Sequence, residues 1–326
     1  CVLLAGMPFA GFLSIYPDSI IKTHHDTIST MKAGMSSTVA NVLLNTVFVF
    51  GFRWGLAGIA LATVLSRYAS FFYAKYRAGV LERARLEPDA AKVPARGVIA
   101  PHAGFMYSGD VAGSVYSRVE IPGTVLLIGP NHTGMGERIS LMARGTWSMP
   151  LGDLEIDTPL AEAILQHLPM ARENEAAHLR EHSLETQLPF LQYFRREFTF
   201  VPICLMRLSW DECRKLGEAL VRAIRDVDRP VLIVASSDMT HYETHASASK
   251  KDHKAIARIL EMDPAGLYQT VEREGITMCG VHPATAMLTA CREMGATRAE
   301  LAKYMTSGEV SGDMGSVVGY AGVIVQ

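Results

Sequence analysis

The stretch Arg229–Glu243, RPVLIVASSDMTHYE, decides how this chain is read. Behind an opening proline, Val231, Leu232, Ile233 and Val234 form an unbroken apolar run rich in β-branched residues. Such a run reads as a short strand buried on both faces, the pattern of a parallel sheet covered by helices. It stops abruptly in Ser236, Ser237, Asp238 and His241, all small or ionisable. Open α/β sheets bind ligands outside the carboxyl ends of their strands, so this junction is a candidate site edge. Two further stretches have the same form. Val98-Ile99-Ala100 runs into Pro101-His102-Ala103-Gly104, and Val125-Leu126-Leu127-Ile128 runs into Gly129-Pro130-Asn131-His132. If the three strands are parallel, three imidazoles converge at one rim.

From residue 98 onward, strand-like runs alternate with helical patterns. The alternation predicts an α/β fold with a central, largely parallel sheet flanked by helices. Helices are expected over 108–119 with Ser108 as N-cap, 159–168 with Thr158 as cap, 181–193, 211–225, 250–260 and 283–293. Strands are expected over 199–205 and 317–325, with a loop or hairpin over 147–156.

The first 80 residues differ in composition. Apolar segments occupy about 1–16, 37–52 and 54–74, each at or below the roughly 20 residues of a spanning helix. Gly55, Ala57, Gly58, Ala60 and Ala62 allow close helix packing in lipid. Lys22 and Lys32 fall in the first connection, and Lys75, Arg77, Arg83 and Arg85 follow the third segment. The positive-inside rule puts both on the cytoplasmic side. The expectation is a short all-α, membrane-embedded segment over 1–80, a charged, Pro-containing linker over 81–96, and a cytoplasmic α/β domain over 97–326. A helical subdomain with its own buried core is the alternative for 1–80. Across all 326 residues the net charge is −2 and charged residues make up 20%, without the clustered basic face that nucleic-acid binding needs. The five cysteines have no CxxC pairing and read as reduced thiols.

The stretch 26–68 contains NVLLN (41–45), FGF (50–52) and GLAGIALAT (55–63). It resembles part of a MATE-type multidrug and toxin exporter. The resemblance spans about three helices where such transporters have about a dozen, and implies a membrane anchor or the relic of a fusion. The remainder carries five motifs in order: IAPHAGFMYSG (99–109), IGPNHTG (128–134), EHSLETQLPFLQ (181–192), VASSDMTHYE (234–243) and CGVHPATAML (279–288). Over about 97–326 these resemble the Memo family, which includes the bacterial proteins called AmmeMemoRadiSam system protein B. That family is similar in fold to the class III extradiol ring-cleaving dioxygenases, whose site is a non-haem iron. The Phe-Tyr-Pro signature that usually precedes the first His strand in Memo proteins is replaced here by the 81–96 linker and the helices before it.

The resemblance implies that His102, His132 and Cys279 form the metal site. It places His241 where the related dioxygenases keep an acid–base histidine, and Asp238, His182 and Glu185 along the same cleft. It implies iron as the metal, a small molecule or peptide as ligand, and the other AmmeMemoRadiSam proteins as functional partners. The residue chemistry agrees in part. Two neutral imidazoles and an anion leave open positions on Fe(II), and a thiolate, softer than a carboxylate, keeps copper and zinc in play. The bland alternative for Cys279 is a small buried hydrophobe. His182 and Glu185, at i and i+3 of a helix, read as a site histidine oriented by a carboxylate. Asp238 is expected to orient His241. His282, before Pro283, reads as a capping or supporting group, and His167, His178, His245 and His253 as surface histidines. Ser236-Ser237-Asp238 with His241 also fits a serine hydrolase, but the G-x-S-x-G elbow is missing. The expected function is a metal-dependent, dioxygenase-like oxidoreductase on a small substrate. The alternatives are a non-catalytic metal- or peptide-binding module, or antiporter-type transport by 1–80.

Overall fold

The computed structural model describes residues 91–326 continuously, and before them 41–44, 46–52, 54, 61–63 and 65. The chain divides into two compact units, Cys1–Leu86 and Glu87–Gln326. In the first, the described residues include a π-helical turn, Thr46–Gly51, and a stack of Phe48 and Phe52 on Trp54 at 5.4 and 5.2 Å between ring centres. Segment 1–16, parts of 37–52 and 54–74, and linker residues 81–90 lie outside the described residues. Among those described, no helix is long and apolar enough to cross a membrane. The membrane-embedded reading of 1–80 therefore has no support here.

The second unit begins β1 (Gly97–Ala100), α1 (Phe105–Tyr116), β2 (Thr124–Pro130), β3 (Ile139–Leu141), β4 (Thr146–Trp147), β5 (Leu154–Glu155) and α2 (Thr158–His167). It continues with β6 (Arg172–Glu173), α3 (His182–Glu185), α4 (Leu188–Phe194), β7 (Thr199–Leu205), α5 (Trp210–Val227), β8 (Val231–Ser236) and β9 (His241–Glu243). The last elements are α6 (His245–Leu260), α7 (Pro264–Glu274), α8 (Val281–Glu293), β10 (Ala299–Thr306), α9 (Gly308–Ser311) and β11 (Val317–Val325). Residues 91–96 belong to this unit: Val93 bridges Val119, and Arg96 N–H donates to Val325 O at 2.9 Å.

The main sheet runs β10-β11-β1-β8-β2-β7-β3-β6, and β9 pairs with β11. Its centre is parallel, in the order β1-β8-β2-β7, and β6 also pairs parallel with β3 at one edge. The expected largely parallel sheet is thus a mixed one. β10 and β11 pair antiparallel because only a short connection through α9 joins them, and β11 then returns antiparallel beside β1. β3 lies antiparallel on β7 at the other side.

Period-two alternation builds a core on each face. Ile99, Leu126, Ile128, Val201, Ile203 and Ile233 share one cluster with Leu216 and Leu220 of α5 and Met287 of α8. Val98, Val125, Leu127, Phe200, Leu232 and Val234 share the other with Val115 and Tyr116 of α1 and Leu188 and Leu191 of α4. β2 and β8 are buried along their whole length. That explains why they read as continuous apolar runs.

Several boundaries differ from the sequence reading. α1 starts at Phe105 with Gly104 as N-cap, and the Ser108 hydroxyl donates to Ala103 O instead of capping. Asp157, not Thr158, caps α2 by accepting from Leu160 N–H at 3.1 Å. The single helix expected over 181–193 is two, α3 and α4. Pro189 has no N–H to continue the first, and it sits instead in the opening turn of the second. α7 and β10 were not anticipated. α7 nevertheless has its signals: Asp263 as cap, Pro264 at its start and left-handed Gly275 at its end.

α5 and α8 cross at Gly217, where a β-carbon would lie 2.8 Å from Ala286 O and 2.7 Å from Thr289 Cβ. Gly217→Val should therefore overpack the crossing at a cost of about 1–3 kcal/mol. Thermal unfolding should show a melting temperature lower by several degrees. A variant that melts with the parent would mean the crossing is looser than described.

Candidate metal centre

The registers Ala100↔Ser236 and Ile128↔Ala235 level the carboxyl ends of β1, β8 and β2. The residues just beyond them are therefore neighbours. Asp238 Oδ1 accepts from His102 N–H at 2.8 Å and from Ala103 N–H at 3.3 Å, tying the loop after β1 to the end of β8.

His102 is 2% exposed, and its proton position can be deduced. The Ser236 hydroxyl donates to Ser183 O at 2.6 Å, and a carbonyl can only accept. Gln187 Nε2 donates to Ser236 Oγ at 2.8 Å and to Pro101 O at 2.9 Å, while Tyr116 OH donates to Gln187 Oε1 at 2.7 Å. With its only proton committed, Ser236 Oγ must accept from His102 Nδ1, 2.9 Å away. His102 Nδ1 therefore carries the proton, and Nε2 keeps its lone pair. Burial lowers the His102 pKa to about 4, against the opposing charge of Asp238, so the ring is neutral near pH 7.

His132 reaches the same tautomer by another route. Its Nδ1 faces Glu181 Oε1 at 2.9 Å and its backbone N–H donates to Glu181 Oε2 at 2.5 Å. Glu181 is 2% exposed and also accepts from Ser183 N–H at 2.9 Å. Burial alone would raise this carboxyl. The hydrogen bonds from the His132 ring and the two backbone N–H groups outweigh burial and hold it at about 2. The same hydrogen bond raises the His132 pKa against burial.

His182 opens α3 and stacks on His132 with 4.9 Å between ring centres. It meets His102 edge-on at 5.6 Å. Its Nδ1 is 3.6 Å from Glu181 Oε1, too long to fix the ring, and its side chain is 56% exposed. Each of the three histidines offers one nitrogen, and these nitrogens lie within 4.8 Å of one another. His102, His132 and His182 thus form a group that can hold a metal ion, and the lone pair deduced for His102 Nε2 fits that role.

Cys279 lies against this group. Its Sγ is 3.3 Å from His102 Nε2 and accepts from Asp238 N–H at 3.3 Å. Gly280 makes the approach possible, since a β-carbon there would be 2.4 Å from Ser236 O. Burial first, and the Asp238 charge second, push the Cys279 thiol well above its ordinary value. The described cysteines Cys204, Cys213, Cys279 and Cys291 are all free.

Other expectations are corrected. Asp238 does not orient His241: its carboxylate serves His102, with Oδ2 3.9 Å from Nε2. His241 Nδ1 instead faces Thr277 O at 2.9 Å, and its backbone N–H donates to Thr277 Oγ1 at 2.7 Å. Because that carbonyl only accepts, His241 Nδ1 carries a proton. Glu185 does not orient His182; it is exposed and makes no hydrogen bond or ion pair among the described residues. The carboxylate at work in the cluster is Glu181, and the ring it holds is that of His132. His178 is not a surface residue but 6% exposed, with Nδ1 3.4 Å from Cys204 Sγ. His282 Nε2 is buried without a hydrogen-bond partner among the described residues, so it caps none of them through that atom. The sequence reading missed Glu181, Ser236, Gln187 and Tyr116 as supports. The available signal was the adjacency of Glu181 to His182; for Gln187 and Tyr116 there was none.

Sequence comparison agrees with these motifs. The profile of the family described as Memo-like protein matches residues 74–324. A MEMO1 family protein of Methanopyrus kandleri is 46% identical over 232 residues, covering 70% of this chain and 82% of its own length. Another from Methanothermobacter thermautotrophicus is 46% identical over 229 residues, covering 69% and 83%. A third, from Pyrobaculum aerophilum, is 37% identical over 270 residues, covering 78% and 96%. None of these matches supports the exporter-like reading of 26–68. By the extent of the profile and the identity to these relatives, the chain belongs to the Memo-like protein family.

Proposed function

We propose that this chain is a metal-dependent oxidoreductase acting on a small molecule, with His102, His132 and Cys279 holding one transition metal. The observation that carries the proposal is the proton accounting around His102. A buried, neutral imidazole with Nδ1–H locked on Ser236 turns its Nε2 lone pair to the Cys279 thiol, whose proton a cation would displace. Glu181 imposes the same tautomer on His132. Supports of this kind orient metal-binding histidines and strengthen their basicity.

Cys279 is favoured as third ligand because it is already held, by the Asp238 N–H and by the close packing at Gly280. Its high thiol pKa keeps it protonated until a cation displaces the proton. The family resemblance points to iron, and the softness of a thiolate makes copper or zinc compatible with the same set. A bound iron would supply open coordination positions on a redox-active centre. The chain's own residues do the rest. His182, exposed and loosely held, stands beside the two imidazoles and can meet a ligand of the metal. His241 Nε2 is the candidate base for a substrate proton, with Thr277 O fixing the tautomer.

A second reading, with His182 as third ligand, rests on the three nitrogens within 4.8 Å of one another. Metal analysis after anaerobic loading separates the two. Cys279→Ser should lose most of its metal, while His241→Ala should keep nearly all of it. Unchanged metal in the Cys279 variant would remove the thiolate and leave the three-histidine set. Equal loss in both would make His241 a ligand. An oxygen-consumption screen over catechols and related phenols then tests turnover. Stoichiometric metal with no consumption on any compound would favour a binding module over an enzyme.

Glu181→Gln should weaken metal binding by roughly 10–100-fold, as measured by competition with a chelator, because His132 loses its charged acceptor. Affinity equal to the parent would show that the carboxylate does not tune the centre.

A further inference from the structure

Beside the histidine cluster lies a cleft of about 340 Å³ that the reading above leaves without a role. His132 and Cys279 are part of its lining, so it is continuous with the candidate metal centre. Leu205, Val271, Ile276, Met278 and Val281 give it apolar walls, contributed by the end of β7, by α7, by the loop after it and by the start of α8. It lies at the carboxyl ends of β2 and β7, where α/β sheets take their ligands. Its volume is at the small end of ligand pockets, which run from about 300 to 1,000 Å³.

Three polar features give the cleft a chemical preference. Arg207 lines it and donates to Glu272, which also lines it, at 2.8 Å. A guanidinium has five N–H donors, and this side chain is 78% exposed. Arg207 can therefore accept a second carboxylate without giving up the first. Glu272 is the one carboxylate of the lining, and Arg207 already neutralises it. His282 also lines the cleft, and its Nε2 is buried without a partner among the described residues. Val281 and His282 begin the 13-residue helix α8, whose positive end favours negative charge. A cationic ligand would meet Arg207 and this helix end, and would find Glu272 occupied.

We propose that this cleft is the substrate pocket of the metal centre and that its substrate class is a small organic acid. Its apolar body, one or two rings in size, packs on Val271, Ile276, Met278 and Val281. Its carboxylate pairs with Arg207. The proposal rests on the metal reading for the word substrate; as a binding site the cleft stands without it.

The test uses the full chain, metal-free and metal-loaded, titrated with fluorescent 2-naphthoate and with neutral 2-naphthamide. The acid should bind roughly ten-fold tighter than the amide, the scale of one well-placed carboxylate–guanidinium pair. Arg207→Gln, a surface change that leaves the core intact, should abolish that difference and leave amide binding unchanged. Val271→Trp should fill the cleft and weaken both probes about ten-fold or more, with metal content equal to the parent. Equal binding of acid and amide by the parent, or an Arg207 variant that still discriminates, would overturn the carboxylate class. Undiminished binding by a folded Val271 variant, or no naphthoate binding by the parent, would overturn the cleft as a site. A parent that binds naphthoate but takes up no metal would refute the metal reading while sparing the pocket. Metal uptake without naphthoate binding would do the reverse.

Discussion

Asp238 holds the rim together. Its carboxylate accepts from the backbone of His102 and Ala103, and its own N–H donates to the Cys279 sulfur. One residue at the end of a buried strand thus fixes the loop after β1 and the loop before α8. The main-chain contacts set where the His102 ring and the thiol stand, and the level strand ends bring His132 alongside. Removing such a carboxylate would leave backbone donors unpaired in a buried place, which costs about 1–3 kcal/mol for each group.

The buried His102 and the exposed His132 are supported in different ways. His102 leans on a neutral, fully buried chain of Ser236, Gln187 and Tyr116 in which each proton has one destination. His132 leans on the ionised carboxylate of Glu181. The first arrangement holds geometry with little charge donation. The second pushes electron density into the ring. A cation between them would face one ordinary imidazole and one enriched in negative character. This asymmetry belongs to the fold, since one support comes from α1 and β8 and the other from the turn before α3.

The four parallel strands at the centre of the sheet were legible because burial on both faces leaves continuous β-branched runs, as in Val231–Val234. The histidines beyond three of them were legible for the same reason: a polar residue just after such a run has few places to go. The antiparallel strands were harder. β10 reads AELAKYMT, half-exposed along nearly its whole length, and its charges hide the alternation. The supports of the site were illegible for a different cause. Gln187 and Tyr116 are separated by 71 residues, and nothing local marks an amide that will hydrogen-bond a distant phenol. Asp238 was tied to the wrong histidine because proximity in sequence stood in for proximity in space. The true partner, His102, lies 136 residues away.

Those separations bear on how the molecule comes into being. Cys279 and His102 are 177 residues apart, yet their sulfur and nitrogen touch. Contacts of such long range form only after the chain has closed very large loops, and folds dominated by them acquire their native topology slowly. Among the described residues, His102, His132, His182 and Cys279 lie on loops that only the completed sheet aligns. Whatever occupies the rim binds the finished fold, and by mass action it then holds that fold against reopening.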